Sequence, residues 1–380
     1  MVYNCSMQSC ITLSKSALLH NLSEIRTYLG DRKKIISVVK ANGYGHGMEQ
    51  VVSVIEKHTD AFAIDDVQEL IQLRKLTNKD IYILGHVCKE DIEEILINKG
   101  ISVVYDKTML EIINQTAATR NEVAEINIKL DAFLGRQGIL MEELPVLLKR
   151  LSQLRNVKLR GIYTHFSNIE DTKDVTHAQR QIDQFKKACL LLKEQGYSLI
   201  EKHISSTAGI LIYDQAEALC THVRLGIGLY GLWPSEDLKS QYQSSISLKP
   251  VLSWKSCIAQ VKEVPAHFPI GYGCTYITKE PTTIAVVPQG YSDGYDRGMS
   301  NKGEMLVRGK RCPVLGRVAM NMCVIDVSGI EDVRVEDEVI LIGSQGNENI
   351  SADQVAARSD TISYEVVARI SPYIQRELGE

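Results

Sequence analysis

The chain lacks the spacings by which cysteine usually declares a role. Its nine cysteines, at 5, 10, 88, 189, 220, 257, 274, 312 and 323, contain no C-x-x-C pair and no Cys/His metal-ligand spacing. No metal is therefore expected, and the thiols are expected to be reduced and mostly buried. Runs of about 18 apolar residues, long enough to span a bilayer, are missing, as is a charged-then-apolar leader. The sequence thus reads as a soluble, cytoplasmic polypeptide with no membrane contact of its own. Nor is there an excess of positive charge: the net charge of −4 argues against a nucleic-acid or anionic-membrane surface. Internal repeats and low-complexity tracts are absent too, and the polar join near 235–245 is not a long flexible linker.

What is present is a 380-residue chain, enough for two domains, with 44% apolar content for sizeable cores and an ordinary 24% of charged residues. Short β-rich runs at 34–40, 61–65, 80–85, 101–106, 125–131, 159–165, 201–205 and 221–226 alternate with amphipathic stretches such as 66–76, 141–154 and 176–194. Eight such units predict a TIM-like (β/α)₈ barrel of class α/β. After about residue 245 the texture changes to short strands with turns at 251–261, 283–287, 303–307, 318–327 and 338–342, which predicts a C-terminal β-domain. The expected division is 11–240 for the barrel, with 1–10 as an N-terminal extension grouped with the β-domain at 241–380.

The most informative stretch is V-V-K-A-N-G-Y-G-H-G at 38–47. The β-branched run before it reads as a strand buried on both faces, so Lys40 should project at the strand's C-terminal end. In a parallel barrel that end carries the chemistry, and a lysine there can form a Schiff base. Glycines 43, 45 and 47 would let the backbone approach a ligand closely. The plainer alternative is a lysine that caps a strand before a Gly-rich turn.

The ten-residue string resembles the pyridoxal-phosphate lysine segment of alanine racemases, which pair an α/β barrel with a C-terminal β-domain. The resemblance covers almost the whole chain, beginning with I-T-L-S-K-S-A-L-L-H-N-L at 11–22. It implies pyridoxal 5'-phosphate as cofactor and an amino-acid substrate. Tyr44 matches a tyrosine that hydrogen-bonds the phosphate. In H-I-S-S-T-A-G, Ser206 and nearby amides would hold phosphate at a helix start, although a simple N-cap is the commoner use of such a serine. In R-L-G-I-G-L-Y-G, Arg224 matches the arginine that faces the pyridine nitrogen, and the amides of Gly226 and Ile227 meet the phosphate. A guanidinium keeps its proton to a pKa of about 12 or more, so that nitrogen stays unprotonated, which suits racemisation better than transamination or elimination. An arginine in a surface salt bridge is the alternative.

Racemisation removes an α-proton on one face and returns one on the other, so two acid/base groups must flank the substrate. Lys40 is one. The other is implied to be Tyr272, in I-G-Y-G-C-T-Y, which resembles the family's S-Y-G-x-T-Y block with Gly271 in place of serine. His165, in Y-T-H-F-S-N, matches the histidine that partners the tyrosine and lines the cofactor site; a lone histidine is otherwise more often a satisfied core residue. Because Tyr272 lies in the β-domain and Lys40 in the barrel, the resemblance implies a head-to-tail homodimer with shared active sites. Arg136, in K-L-D-A-F-L-G-R-Q-G, should reach the substrate carboxylate. Lys129 matches a lysine often carbamylated, with a plain ion pair to Asp131 or a neighbouring carboxylate as the alternative. The blocks G-R-V-A-M-N-M and G-Y-S-D-G-Y place Met320, Asn321 and Tyr291 around substrate and its entrance.

Three departures from the family bear on specificity. Asn321 stands where aspartate is usual. Ala132-Phe133-Leu134 replaces Thr-Gly-Met. Pro372 stands where many members carry a tyrosine, with Tyr373 one residue on. These changes imply an altered pocket that accepts serine alongside alanine, as in the serine racemases of vancomycin-resistance clusters, where a domain like this follows a membrane domain; D-amino acids for peptidoglycan precursors would be the product. A basic-amino-acid racemase is the nearest rival. A non-catalytic pyridoxal-phosphate carrier lacks the β-domain, and a barrel-type decarboxylase should place an acidic residue opposite the pyridine nitrogen.

Overall fold

In chain order the strands of the computed structural model are β1 (Ser9–Ser14), β2 (Lys34–Val38), β3 (Ala61–Ile64), β4 (Ile81–Ile83), β5 (Gly100–Val104), β6 (Ala124–Lys129), β7 (Val157–Tyr163), β8 (Glu201–His203), β9 (His222–Leu225) and β10 (Leu252–Cys257). There follow β11 (Gln260–Val264), β12 (Pro269–Ile270), β13 (Tyr276–Ile277), β14 (Thr282–Val287), β15 (Glu304–Val307), β16 (Lys310–Leu315), β17 (Cys323–Asp326), β18 (Glu338–Gln345), β19 (Glu348–Ile350) and β20 (Gln375–Gly379). The structure describes residues 8–30, 33–198, 200–213 and 219–380. Two compact units emerge: one of 17–41 and 51–249, the other of 1–16, 42–50 and 250–380.

The first unit is an eight-stranded parallel sheet in the order β8-β7-β6-β5-β4-β3-β2-β9. The expected strands are all present, because a strand covered on both faces must be apolar along its length, and β3, β4 and β5 are buried at every position. Between β8 and β9 the backbone bonds Thr221 N–H to Lys202 O at 2.9 Å and Arg224 N–H to Ser205 O at 3.0 Å tie the two end strands. The expected helix at 176–194 is found as Thr176–Glu194, which buries Ala178, Ile182, Phe185, Ala188, Cys189 and Leu192 at helical spacing. Asp66 and Asp106 accept the Glu69 and Met109 amides and so cap the helices that follow β3 and β5.

In the second unit, one sheet runs β11-β14-β17-β16-β15-β18-β10-β1-β20, with β19 on β18 and the hairpin β12-β13 apart. The pairings are antiparallel except for β1 with β20, which is parallel. Trp254, Met305, Leu306, Val339 and Leu341 lie in its interior.

The division differs from the sequence expectation in three places. Residues 11–16, expected in the barrel, belong to the second unit, because β1 fills the gap between β10 and β20 and satisfies the ladder bonds of both. Residues 42–50 also cluster there: Gly45 packs its backbone on the Val367 carbonyl with no room for a Cβ, and Arg376 donates two N–H groups to Gly45 O. Conversely, 241–249 stays with the first unit, where Asn21 donates to Lys249 O at 2.9 Å and Glu24 receives the Ser247 amide at 2.9 Å.

Among the described residues no helix is long and apolar enough to cross a membrane, and no group of three or more His, Cys, Asp or Glu is placed to hold a metal. Of the eight described cysteines four are buried, two half-buried, and Cys88 and Cys274 exposed. Cys5 lies outside the described residues.

Candidate active site

Lys40 follows β2 by one residue, at the C-terminal end where the sequence places it. It opens a turn in which Ala41, Asn42, Gly43, Tyr44, Gly45 and Gly47 all have φ between +52° and +97°. Left-handed backbone costs an L-residue roughly 1–2 kcal/mol, so this stretch persists only because it is held from outside. Ala41 N–H donates to Glu69 Oε1 at 2.6 Å, Met48 N–H to Asn42 Oδ1 at 3.0 Å, and Arg376 grips Gly45 O. Lys40 Nζ itself donates to Asp65 Oδ1 at 3.0 Å. Tyr44 carries φ +52° and its ring lies 6.2 Å from that of Tyr364. Tyr373, the residue beside Pro372, is 96% exposed; Tyr364 is the tyrosine that stands next to Tyr44.

Arg224 is buried and held by five hydrogen bonds. It sits on β9, whose register places it beside Ile36 of β2, and it is 3% exposed. Its Nη1 donates to His203 Nδ1 at 2.7 Å and His203 O at 3.2 Å; its Nη2 donates to Thr164 O at 2.8 Å, Ile204 O at 3.1 Å and His165 Nδ1 at 3.1 Å. None of these five acceptors is a carboxylate, so a surface salt bridge is not what holds this arginine. Its guanidinium also lies 5.2 Å from the centre of the Tyr163 ring.

Because arginine only donates, both histidine Nδ1 atoms must accept, which leaves the proton on each Nε2. His165 is held neutral: burial, then the charges of Arg224, Arg136, Lys129 and Lys40, push it down to about 3. His203 is pushed well down by burial and by Arg224, and its ring stacks on Tyr163 at 4.9 Å. Lys129, 5% exposed, is lowered to about 8 by burial, then by Arg136, Arg224 and Lys40. Its Nζ donates to Gln137 Oε1 at 2.6 Å, whereas the Asp131 carboxylate receives the amides of Leu134, Gly135 and Arg136. The ion pair to Asp131 is thus replaced by a carboxylate that shapes the loop presenting Arg136. Phe133, at φ +61°, takes a left-handed conformation in that loop, with Arg180 4.7 Å over its ring.

Ser206 is the N-cap residue of the helix Thr207–Ile212, yet its side chain makes no capping bond. Ser205 Oγ, fully buried, has no partner. Thr207 Oγ1 receives the Gly228 amide at 3.2 Å, which ties this helix start to the turn at Gly226 and Ile227. The first unit therefore gathers Lys40, Lys129, Arg136, His165 and Arg224 into one field of mutual charge, with Ser206, Gly226 and Ile227 at two linked turns.

In the second unit Tyr272 begins a short turn after β12 and is 73% exposed. Gly271 before it has φ +69°, ψ −173°, a region open almost only to glycine, so glycine at this place in the motif has a backbone reason. Tyr291 and Met320 lie on two loops joined by Tyr291 N–H to Ala319 O and Ser292 N–H to Met320 O at 3.1 and 3.0 Å. Asn321 Nδ2 donates to Ser292 Oγ at 2.7 Å on the same pair of loops.

Sequence reasoning missed Asp65, Glu69, Gln137 and His203. Each acts by supporting a neighbour, and only the position of His203 and Asp65 at strand ends offered a signal.

Two family models match, described as "Alanine racemase, N-terminal domain" over residues 13–234 and "Alanine racemase, C-terminal domain" over 251–378. The alanine racemase of Halothermothrix orenii is 40% identical over 364 residues, 95% of this chain and 94% of that one. That of Methanococcus maripaludis is 36% identical over 364 residues, 95% and 96% of the two chains. Among solved structures, the alanine racemase of Clostridium difficile 630 superposes with a TM-score of 0.91 at 31% identity, covering 99% and 96%. That from E. faecalis gives 0.90 at 30% over the whole of both chains. With family models matching residues 13–234 and 251–378 and a lysine, an arginine and a histidine at the strand ends of the first unit, the chain belongs to the alanine racemase family of isomerases.

Proposed function

We propose that this chain is a pyridoxal-phosphate-dependent racemase of alanine that also accepts serine, working by two bases, Lys40 and Tyr272. The observation that carries the reading is the Arg224 network: a buried, permanently charged donor at a strand end, held by carbonyls and neutral histidines. The residues present suit the cofactor. A buried hydroxyl without a partner, Ser205 Oγ, and an N-cap serine whose side chain does not cap are groups poised for an anion.

When bound, pyridoxal phosphate supplies a conjugated ring that stabilises charge at the substrate α-carbon. Lys40 would hold it and would move a proton on one face of the substrate. Ser206, Tyr44 and the amides of Gly226 and Ile227 bind phosphate. Arg224 would face the ring nitrogen as a donor that keeps its own proton, which would leave that nitrogen unprotonated and disfavour side reactions. His165, held neutral with its proton on Nε2, lines the site and partners the Tyr272 phenol. Arg136 and the Met320 amide orient the substrate carboxylate, while Tyr291 and Asn321 line the entrance. Tyr272 comes from a second copy in a head-to-tail dimer; its 73% exposure in this chain supports that arrangement.

Lys129 is suited to carbamylation. An amine lowered to about 8 by burial and neighbouring cations is partly neutral near physiological pH. Its nitrogen forms a bond to CO₂ and loses one proton, giving an anion among Arg136, Arg224 and Lys40. Serine acceptance is supported by Asn321, bound to Ser292, and by Phe133 in the Arg136 loop. A cytoplasmic role supplying D-amino acids for peptidoglycan precursors fits this chemistry.

The test is chiral chromatography after incubating the cofactor-loaded protein with L-alanine, L-serine and L-lysine separately. D-alanine and D-serine are expected. D-alanine alone removes the serine activity, D-lysine moves the reading to a basic-amino-acid racemase, and no D-product from any of the three overturns it.

A further inference from the structure

The ammonium of Lys40 is received by Asp65, and the surroundings of that carboxylate are built for it. Asp65 follows β3 directly, and its Oδ1 lies 3.0 Å from Lys40 Nζ. Its own N–H donates to Glu69 Oε2 at 2.8 Å, while Glu69 Oε1 takes the Ala41 N–H at 2.6 Å. One carboxylate thus ties together the two loops that carry the ion pair. Gly85, just past β4, lies close against Asp65, donating its N–H to Asp65 O at 3.1 Å; a Cβ there would sit 2.4 Å from that carbonyl oxygen and 2.8 Å from Oδ2. The strand ends of β2, β3 and β4 therefore combine to hold one acceptor against the lysine.

We propose that Asp65, supported by Glu69, is a positioning residue for Lys40: it fixes where Nζ waits when the lysine is not bonded to the cofactor, and so fixes the base on one face of the substrate. The inference rests on the reading of Lys40 as the cofactor lysine and a proton carrier. A lysine side chain has four rotatable bonds and a charge that water solvates readily, so without an anchor its nitrogen would sample many positions. An ion pair whose side chains are 38% and 49% exposed adds little to stability. A structural role therefore does not account for an acceptor whose backbone N–H is tied, through Glu69, to the loop that carries Lys40. Misplacing a reacting group by about 1 Å can cost on the order of 100-fold in rate, which is the scale on which such a residue acts.

The test compares Asp65→Ala, Asp65→Asn and Glu69→Gln in the full-length chain. Two readouts are taken: reductive trapping of pyridoxal phosphate on Lys40 by borohydride, mapped by mass spectrometry, and racemisation of L- and D-alanine carrying deuterium at the α-carbon. For Asp65→Ala the expected results are trapping slower by about 10-fold, kcat lower by about 10- to 100-fold with KM within about 3-fold, and an isotope effect that rises with one enantiomer only. Asp65→Asn, which keeps an acceptor oxygen, should recover most of the loss, and Glu69→Gln should fall between. Wild-type trapping and rates in Asp65→Ala overturn the proposal, as does an isotope effect that rises equally with both enantiomers. A wild-type protein that neither traps the cofactor nor racemises would instead remove the underlying reading of Lys40.

Discussion

Arg224 in the first unit and Tyr272 in the second mark a contrast between the two halves of the chain. Arg224 is 3% exposed and fixed by five acceptors. Tyr272 is 73% exposed, on a turn set by two glycines of positive φ. The pattern extends to their neighbours: Lys129 and His203 are buried and neutralised or depressed by their surroundings, whereas Tyr291, Met320 and Met322 are open to solvent. The groups whose protonation is set by burial and neighbouring charge are enclosed, and the groups that the proposed function assigns to the substrate or to another copy face outward. The first unit encloses its charged groups among fixed partners; the second leaves the Tyr272 side chain open to solvent.

That contrast can be broken or sharpened in order of size. Lys40→Ala should abolish racemisation, by about 10⁴-fold or more, together with covalent retention of the cofactor; product chromatography and absorbance of the desalted protein check both. Tyr272→Phe should lower kcat by about 10²- to 10⁴-fold with little change in KM or melting temperature, because an exposed phenol contributes little to folding. Lys129→Ala should raise the alanine KM by about 10-fold, and intact-protein mass spectrometry of the unaltered chain in bicarbonate should show one added CO₂ that the variant lacks. A separate effect, outside that order, is on stability against acid. His46 is lowered to about 4 and His165 to about 3, both first by burial. A folded pKa below the unfolded value of about 6.5 means the unfolded chain binds more protons in that window. Stability should therefore fall as pH drops from about 6.5 towards 4, by up to about 1.4 kcal/mol per pH unit for each histidine. Denaturant titration at several pH values reads this, and His165→Gln should flatten the slope.

Much of the architecture was legible because burial writes itself into a sequence as period. The eight parallel strands and the Thr176–Glu194 helix follow from apolar runs and 3.6-residue spacing. The placements of Lys40, Arg224 and His165 at strand ends follow from the same runs. What the sequence hides is long-range and polar. Nothing local says that 11–16 will bridge β10 and β20, or that 42–50 will pack where Arg376 and Val367 can hold it. The left-handed turn from Ala41 to Gly45 includes Ala41 and Tyr44, which have no backbone preference for it, beside Asn42, which tolerates it; tertiary bonds hold it. Asp65 closes the expected strand 61–65 and Glu69 falls in the expected helical stretch 66–76, where Asp66 is an N-cap. Their service to Lys40 depends on the distance between two loops, which no periodicity records.

The central claim is that the enclosed first unit of one copy works with the exposed Tyr272 of another. Its most direct measurement mixes two inactive proteins, Lys40→Ala and Tyr272→Phe, under conditions that exchange subunits, and follows alanine racemisation. In a head-to-tail dimer, half the exchanged dimers are mixed and each mixed dimer holds one site with both groups intact, so activity should return to about a quarter of the unaltered enzyme. Activity that stays at the sum of the two variants while exchange is verified by mass would contradict the account.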